Sequence, residues 1–330
     1  MREAAFIRQN KEKWIDFETK LLGNSKTNPD DLSKLYIHLM NDLAYAQTFY
    51  PKSKTTFYLN NLAAKTYLKI YRNKKIEKNR LIHFFKTEVP LLVHQYRKYL
   101  AFTFILFFAF VAIGVISARN DDGFVRLILG DYYVNLTLEN IEKGDPMAIY
   151  KSGSTWGSHI GITIHNLQVG IYNYVLGIFA GVGTLFILFK NSIMLGAFQY
   201  FFYQHGVFLE SVRSIWIHGA MEIFAIVIEA MAGFVLGASF LFPGTYSRII
   251  SFKIGAINSL KILISTFPFT IAAGFLEGYI TRLSGAMPNW ISVFIIISTL
   301  SIISFYYIIY PFIVKRKLTQ YAETTQKTQF

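Results

Sequence analysis

The 330-residue chain contains no cysteine, and only 16% of its residues are charged. Without cysteine it can form neither disulfides nor thiolate metal sites. A soluble domain usually has about 25% charged residues, so this chain carries too little charge to face water on all sides. The sequence also lacks a P-loop, a nucleophile elbow and a zinc-protease helix motif, which disfavours an enzyme.

Hydrophobic residues make up 53% of the chain and lie in long runs. A membrane-spanning helix needs about 20 apolar residues in succession. By that measure the sequence predicts an all-α, polytopic helical membrane bundle of about six spans. The predicted spans cover residues 99–118, 168–189, 192–208, 214–242, 256–280 and 290–314.

The distribution of charge predicts an orientation. Residues 1–99 contain 19 Lys and Arg against 9 Asp and Glu, and so carry most of the net charge of +13. The first residues are polar and lack the apolar core of a signal peptide. Basic segments stay on the cytoplasmic side of bacterial inner membranes, so we expect a multi-pass inner-membrane protein with both termini in the cytoplasm. No nucleic-acid motif accompanies the basic region, so no nucleic-acid partner is expected.

Four regions follow from these patterns. Residues 1–78 show apolar positions at helical spacing and predict a cytosolic helical bundle, with a first stripe of Phe6, Trp14, Phe17, Leu21 and Leu22. Residues 79–98 alternate apolar and basic side chains, as an interfacial elbow helix does. Residues 99–314 form the transmembrane domain, with an outer amphipathic loop at 119–167 predicted to hold short helices. Residues 315–330 form a polar cytosolic tail.

His218, Glu222 and Glu229 stand inside the fourth predicted span. At about 100° per residue, all three fall within about 40° of one another around the helix. Lipid cannot satisfy such a face, so it must meet protein, water or an ion. Glu277 and Asn166 are the partners that we expect to join it from other spans.

Three interpretations of this face are open. A structural lock between helices is favoured, followed by a site for a proton, an ion or a solute. Metal ligation by His218 and Glu222 is the third, and it needs about two further ligands, for which the sequence shows no second cluster. We therefore predict no cofactor and no catalytic residue. A cavity beside the face would favour the ion or solute site, and tight packing would favour the lock.

The order of motifs resembles the stage II sporulation protein M family from about residue 1 to residue 280. A basic elbow, "FKTEVPLLVHQYRKYL", is followed by "NLQVGIYNYVLGIFAGVGTLFILFKNSIMLG" and then "HGAMEIFAIVIEAMAGFVLG". The positions that match the family pattern are Asn166, Asn191, Leu195, Gly196, His218, Gly219, Glu222, Gly233 and Gly237. By this resemblance Asn191 lies in a turn, while the glycines allow helices to pack closely.

The resemblance implies a membrane scaffold that recruits or anchors partner proteins. It also allows a homo-oligomer of the chain itself. The implied partners are membrane or cell-envelope proteins, with a MoxR-type ATPase as a frequent neighbour in bacteria that do not sporulate. The Phe, Tyr, Ile and Lys-rich composition resembles that of such a homologue from Bacteroidetes. The alternative function is a proton- or ion-coupled transporter or channel that uses the His/Glu face.

Overall fold

The computed structural model describes residues 2–22, 29–72, 79–150 and 155–327. These residues form fourteen α-helices and no strand, which confirms the all-α prediction. The helices are α1 (Glu3–Leu22), α2 (Pro29–Phe49), α3 (Lys54–Arg72), α4 (Arg80–His83), α5 (Val89–Gln95), α6 (Arg97–Asn120), α7 (Asp122–Leu129), α8 (Asp131–Glu142), α9 (Thr155–Val175), α10 (Val182–Gln204), α11 (Phe208–Leu241), α12 (Arg248–Phe275), α13 (Asn289–Ser304) and α14 (Tyr310–Lys327).

The chain divides into two compact units, Met1–Arg80 and Leu81–Phe330. In the first unit, α1, α2 and α3 enclose an apolar core that includes Phe6, Trp14 and Phe17. The other two members of the predicted stripe, at 21 and 22, have side chains outside the described set. The indole Nε1 of Trp14 donates a hydrogen bond of 2.9 Å to Asp42, which joins α1 to α2.

Five helical segments in the described part of the second unit are long and apolar enough to cross a membrane. Two of them run through short π-helical or 3₁₀ turns. The five segments are Arg97–Asn120, Val182–Gln204, Phe208–Leu241, Arg248–Leu283 and Asn289–Gln320. Helix α9 is not among them.

Within the described part of the second unit, the directions of the helices nevertheless indicate that the chain passes through the helix bundle six times. Helices α6 and α10 run parallel, because Phe107 shares a cluster with Leu188, and Ala118 shares another with Ala197. The chain must return between them, and α9 makes that return. We call the end where α6 begins and α11 ends the proximal end, and the opposite end the distal end.

Two boundaries predicted from the sequence are wrong in this region. One is the turn between the second and third predicted spans, and the other is the end of the outer loop. The chain turns at Ala180 and Gly181, which both have positive φ, and not near Asn191. Asn191 lies inside α10, where its side-chain amide donates to the carbonyl oxygen of Ile187 and so needs no turn. The predicted outer loop is also shorter than 119–167, because α9 begins at Thr155. Two short helices, α7 and α8, occupy its first part as expected.

The predicted elbow helix at 79–98 is interrupted. It consists of α4, a π-helical turn at Phe84–Glu88 and α5, and the backbone leaves helical geometry at Tyr96 before α6 begins. Val89 and Val93 are buried in the main core of the unit, while Leu81 is exposed. The predicted polar tail continues as helix α14 to Lys327, and residues 328–330 lie outside the described residues.

Candidate functional site

The polar face of α11 lies in the interior of the second unit. The side chains of His218 and Glu229 are only 5% and 1% exposed, and Glu222 between them is half-buried. The helical rise separates His218 from Glu229 by about 16 Å along the axis. The face therefore extends from the distal half of the bundle towards its middle.

Glu277 meets this face through an irregular turn of α12. The helix changes to π-helical geometry at Leu276–Ile280 and then to a 3₁₀ turn at Thr281–Leu283. Such π-turns are frequent at functional sites because they shift the side chains that follow out of the α-helical register. Glu277 Oε1 lies 3.9 Å from His218 Nε2.

Thr281 holds the other nitrogen of the same imidazole. Its hydroxyl oxygen lies 3.0 Å from His218 Nδ1 and 3.3 Å from the carbonyl oxygen of Leu276. The hydroxyl has one hydrogen, and whether this goes to the carbonyl or to Nδ1, the hydrogen bond to the imidazole is kept. This pair of bonds fixes the orientation of the ring and leaves Nε2 facing the carboxylates.

A cavity of about 470 Å³ lies beside these groups. Polar and titratable side chains contribute part of its wall, and aliphatic and aromatic side chains contribute the rest. The polar or titratable lining residues are His165, Asn166, Asn191, His218, Glu222 and Glu277. None of the described residues that line it is Lys or Arg. The cavity therefore offers carboxylates and imidazoles without a compensating cation.

A smaller cavity of about 90 Å³ extends towards Glu229. It shares Asn166, Asn191 and Glu222 with the larger cavity and ends at Glu229 and Thr270. Glu229 is thus connected to the other acidic groups by a polar-lined space.

The walls around Glu229 are close-packed. Its Oε1 accepts a hydrogen bond of 2.9 Å from the hydroxyl of Thr266 on α12. On the other side, Gly170 of α9 presses against the carboxylate so closely that a Cβ at Gly170 would overlap it. The contacts of Glu229 resemble a lock between helices, whereas His218 and Glu222 face open space.

The polar side chains of α9 and α10 divide in the same way. Asn166 lines both cavities, as expected for a member of the polar face. Asn173, also on α9, lies deeper and donates through its side-chain amide to the carbonyl oxygen of Ile226. Among the described residues, the side-chain amide of Gln199 is buried without a hydrogen-bond partner.

Three of the four glycines predicted to pack helices do so. A Cβ at Gly196 would overlap the backbone of α6. One at Gly233 would overlap Thr184 and the carbonyl of Asn173, and one at Gly237 would meet the backbone near Gly181. Gly219 was predicted to pack as well, but the nearest side-chain atoms to a Cβ there are 3.8 Å away in its own helix. It lines the cavity instead.

The sequence did not single out Thr281, Thr266 or Gly170. A threonine in a membrane helix bonds its own backbone as readily as a partner, so its residue type carries no signal of a contact. Gly170 is one of several glycines in α9 and α10. These three residues are identified only by their contacts with His218 and Glu229 in the packed structure.

Comparison with known proteins yields two family matches. The model of the family described as stage II sporulation protein M matches residues 103–282, which is more than half of the chain. A domain of unknown function, DUF8413, matches residues 4–72. The two matches fall on different compact units.

One curated relative is an uncharacterised protein of Methanocaldococcus jannaschii. It is 34% identical to this chain over 134 residues, which is 37% of the chain and 56% of the relative. The chain thus covers little more than half of that relative's length. No solved structure matches the chain.

Proposed function

The chain belongs to the stage II sporulation protein M family, and from this premise we propose that this membrane protein binds a cation beside α11 and carries it across the bilayer. The observation that supports this function is the 470 Å³ cavity lined by His218, Glu222 and Glu277. A purely structural lock would leave no such space beside its polar groups, because protein interiors are close-packed.

The charge of the lining favours a cation. Each carboxylate in a membrane interior costs several kcal/mol unless something neutralises it. The described lining residues supply no Lys or Arg for that purpose. A proton, a metal ion or another cation that enters the cavity would supply the missing charge, while an anion would be repelled.

The packing favours access from one end at a time. The cavity occupies the distal half of the bundle, and the smaller cavity continues it to Glu229. Towards the proximal end, close contacts of Gly233 with α9 and α10, and of Gly237 with the turn that connects them, fill the space between helices. Transport then requires a second state in which these contacts separate, as alternating access does in other transporters.

We place the proximal end in the cytoplasm of a bacterial inner membrane, with both termini on that side. The proximal end is rich in basic residues, while acidic residues are frequent in the segment 121–145 at the distal end. The basic residues are Arg97, Lys98, Arg248, Lys253, Lys261, Lys315, Arg316 and Lys317. This asymmetry agrees with the positive-inside rule.

Glu222→Gln tests the transport function. We expect the full-length protein in proteoliposomes to dissipate an imposed gradient of protons or of Na⁺, K⁺, Mn²⁺ or Zn²⁺. The substitution keeps the size of the side chain but removes its charge, so flux should fall at least tenfold. Ion-sensitive dyes inside the vesicles provide the measurement.

Glu210→Gln is the matched control, because Glu210 is an exposed carboxylate at the beginning of the same helix. Its flux should equal that of the wild type. If wild-type vesicles pass none of these ions faster than empty vesicles, the transport function is wrong.

Partner recruitment is a second function, favoured by the N-terminal unit. That unit has its own apolar core and its own family match, and it still exposes large apolar side chains. Phe57, for example, is 74% exposed. A docking surface for a membrane or envelope protein, or for a MoxR-type ATPase, would explain this exposure.

Phe57→Ser tests this second function. The substitution should weaken binding between this protein and its purified partner without changing ion flux.

A further inference from the structure

We infer that His218, Glu222 and Glu277 bind a divalent first-row transition-metal ion, an inference that rests on the proposed function and narrows its substrate to one class of cation. The three side chains come from two helices. One ligand atom of each lies within 4.8 Å of the other two.

The distances suit an ion after a small inward movement. Three atoms at the corners of a triangle with 4.8 Å sides lie about 2.8 Å from its centre, compared with about 2.0–2.2 Å for bonds from a metal to histidine or carboxylate. Each atom must therefore move by less than about 1 Å, which side-chain rotation supplies.

The hydrogen bonds of His218 are those of a metal ligand. Thr281 Oγ1 lies 3.0 Å from Nδ1 and engages that nitrogen in a hydrogen bond, so Nε2 is the ring nitrogen that faces the two carboxylates. His218 Nε2 is 3.9 Å from Glu277 Oε1, too far for a hydrogen bond, although only 6% of the His218 side chain is exposed. A cation between Nε2 and the carboxylate would bridge the two groups at this separation. Bonds from the second ring nitrogen to a neighbouring group orient most histidine ligands.

The ligand set indicates the class of ion. One imidazole nitrogen with two carboxylates suits Mn²⁺, Fe²⁺, Co²⁺ or Zn²⁺, whereas Ca²⁺ and Mg²⁺ prefer oxygen ligands alone. Two carboxylates also neutralise a divalent ion, so the loaded site carries no net charge. This removes much of the cost of placing the ion within the bilayer.

The adjoining cavity makes such a site exchangeable. Structural metal sites are closed by four protein ligands, while sites with three keep a position for water or substrate. The cavity borders all three of these ligands, so water can complete the coordination sphere and an ion can enter or leave. An exchangeable ion is what a transport site requires.

Cobalt binding tests the inference on the purified full-length protein after treatment with a chelator. We expect Co²⁺ to bind one-to-one, with visible d–d absorption bands, and Zn²⁺ to displace it. His218→Gln and Glu277→Gln should each weaken Co²⁺ binding at least a hundredfold. Glu210→Gln and His205→Gln, which replace the same residue types outside the cluster, should bind as the wild type does.

Thr281 provides a test of positioning that a ligand substitution cannot give. Thr281→Ala should weaken Co²⁺ binding about tenfold, in the range for residues that orient a ligand, and Thr281→Ser should restore it. A wild-type protein that binds no Co²⁺ at one-to-one stoichiometry overturns the inference, whether or not the variants fold. Binding that persists in folded His218→Gln and Glu277→Gln protein also overturns it.

The outcomes separate this inference from transport itself. Flux of protons or monovalent ions that depends on Glu222, without Co²⁺ binding, would overturn the metal site and leave the proposed function standing. One-to-one Co²⁺ binding without flux of any ion would support the metal site and overturn the proposed transport function.

Discussion

At the scale of single residues, the two glycines Gly219 and Gly233 on α11 have opposite surroundings. A methyl group on Gly233 would overlap the hydroxyl of Thr184 and the carbonyl oxygen of Asn173. The same group on Gly219 would reach only side chains of its own helix, at 3.8 Å or more. One glycine thus sets how closely three helices approach, and the other leaves room for the cavity.

Gly233→Ala should destabilise the membrane domain by about 1–3 kcal/mol, as overpacking does in well-packed cores. Gly219→Ala should be neutral or slightly stabilising, because alanine favours a helix over glycine by about 1 kcal/mol. Thermal unfolding of both variants in the same detergent measures the difference. Equal melting temperatures would contradict the close helix approach at Gly233.

At the scale of elements, two segments of similar sequence fasten the elbow to the last helices. "FFKTEVP" (84–90) and "FYYIIYP" (305–311) each form a five-residue π-helical turn shortly before a proline. Pro90 has no N–H, so one carbonyl oxygen of the preceding turn, that of Phe85 or that of Lys86, lacks a backbone donor. The hydroxyl of Tyr306 donates to the first at 2.9 Å, and that of Tyr310 donates to the second at 3.2 Å.

Tyr306→Phe should therefore destabilise the protein by about 1–3 kcal/mol, the cost of a buried polar group without a partner. The measurement is again thermal unfolding in detergent. Tyr246→Phe is the control, since Tyr246 is exposed in the loop between α11 and α12. If both variants unfold at the wild-type temperature, the tyrosine contact does not stabilise the elbow.

At the scale of the whole molecule, the absence of cysteine allows the orientation to be measured without background. Glu142 is exposed on α8 at the distal end, and Ser247 is exposed at the proximal end. In intact spheroplasts a membrane-impermeant maleimide should label Glu142→Cys. It should label Ser247→Cys only after permeabilisation, because we place the proximal end in the cytoplasm.

Two other labelling patterns would be informative. Labelling of Ser247→Cys alone in intact cells would reverse the proposed orientation. Labelling of both positions would contradict the placement of the two ends on opposite sides of a membrane.

The sequence by itself determined the features that depend on a local period. The all-α class follows from long apolar runs, and the alignment of His218, Glu222 and Glu229 follows from the helical repeat. The position of one side chain relative to another on the same helix needs no knowledge of the rest of the fold. The family also follows from motifs within single helices.

Only the tertiary structure decided what those faces meet. Glu277 reaches His218 because a π-turn rotates the end of α12, and Thr281 then fixes the imidazole. The turn at Gly181 and the open space beside Gly219 likewise depend on neighbouring helices. Contacts between helices are set by crossing angles and by side-chain volume summed over several elements. No local pattern contains that sum, so the cavity and the distance from Glu277 to His218 emerge only when the helices are packed.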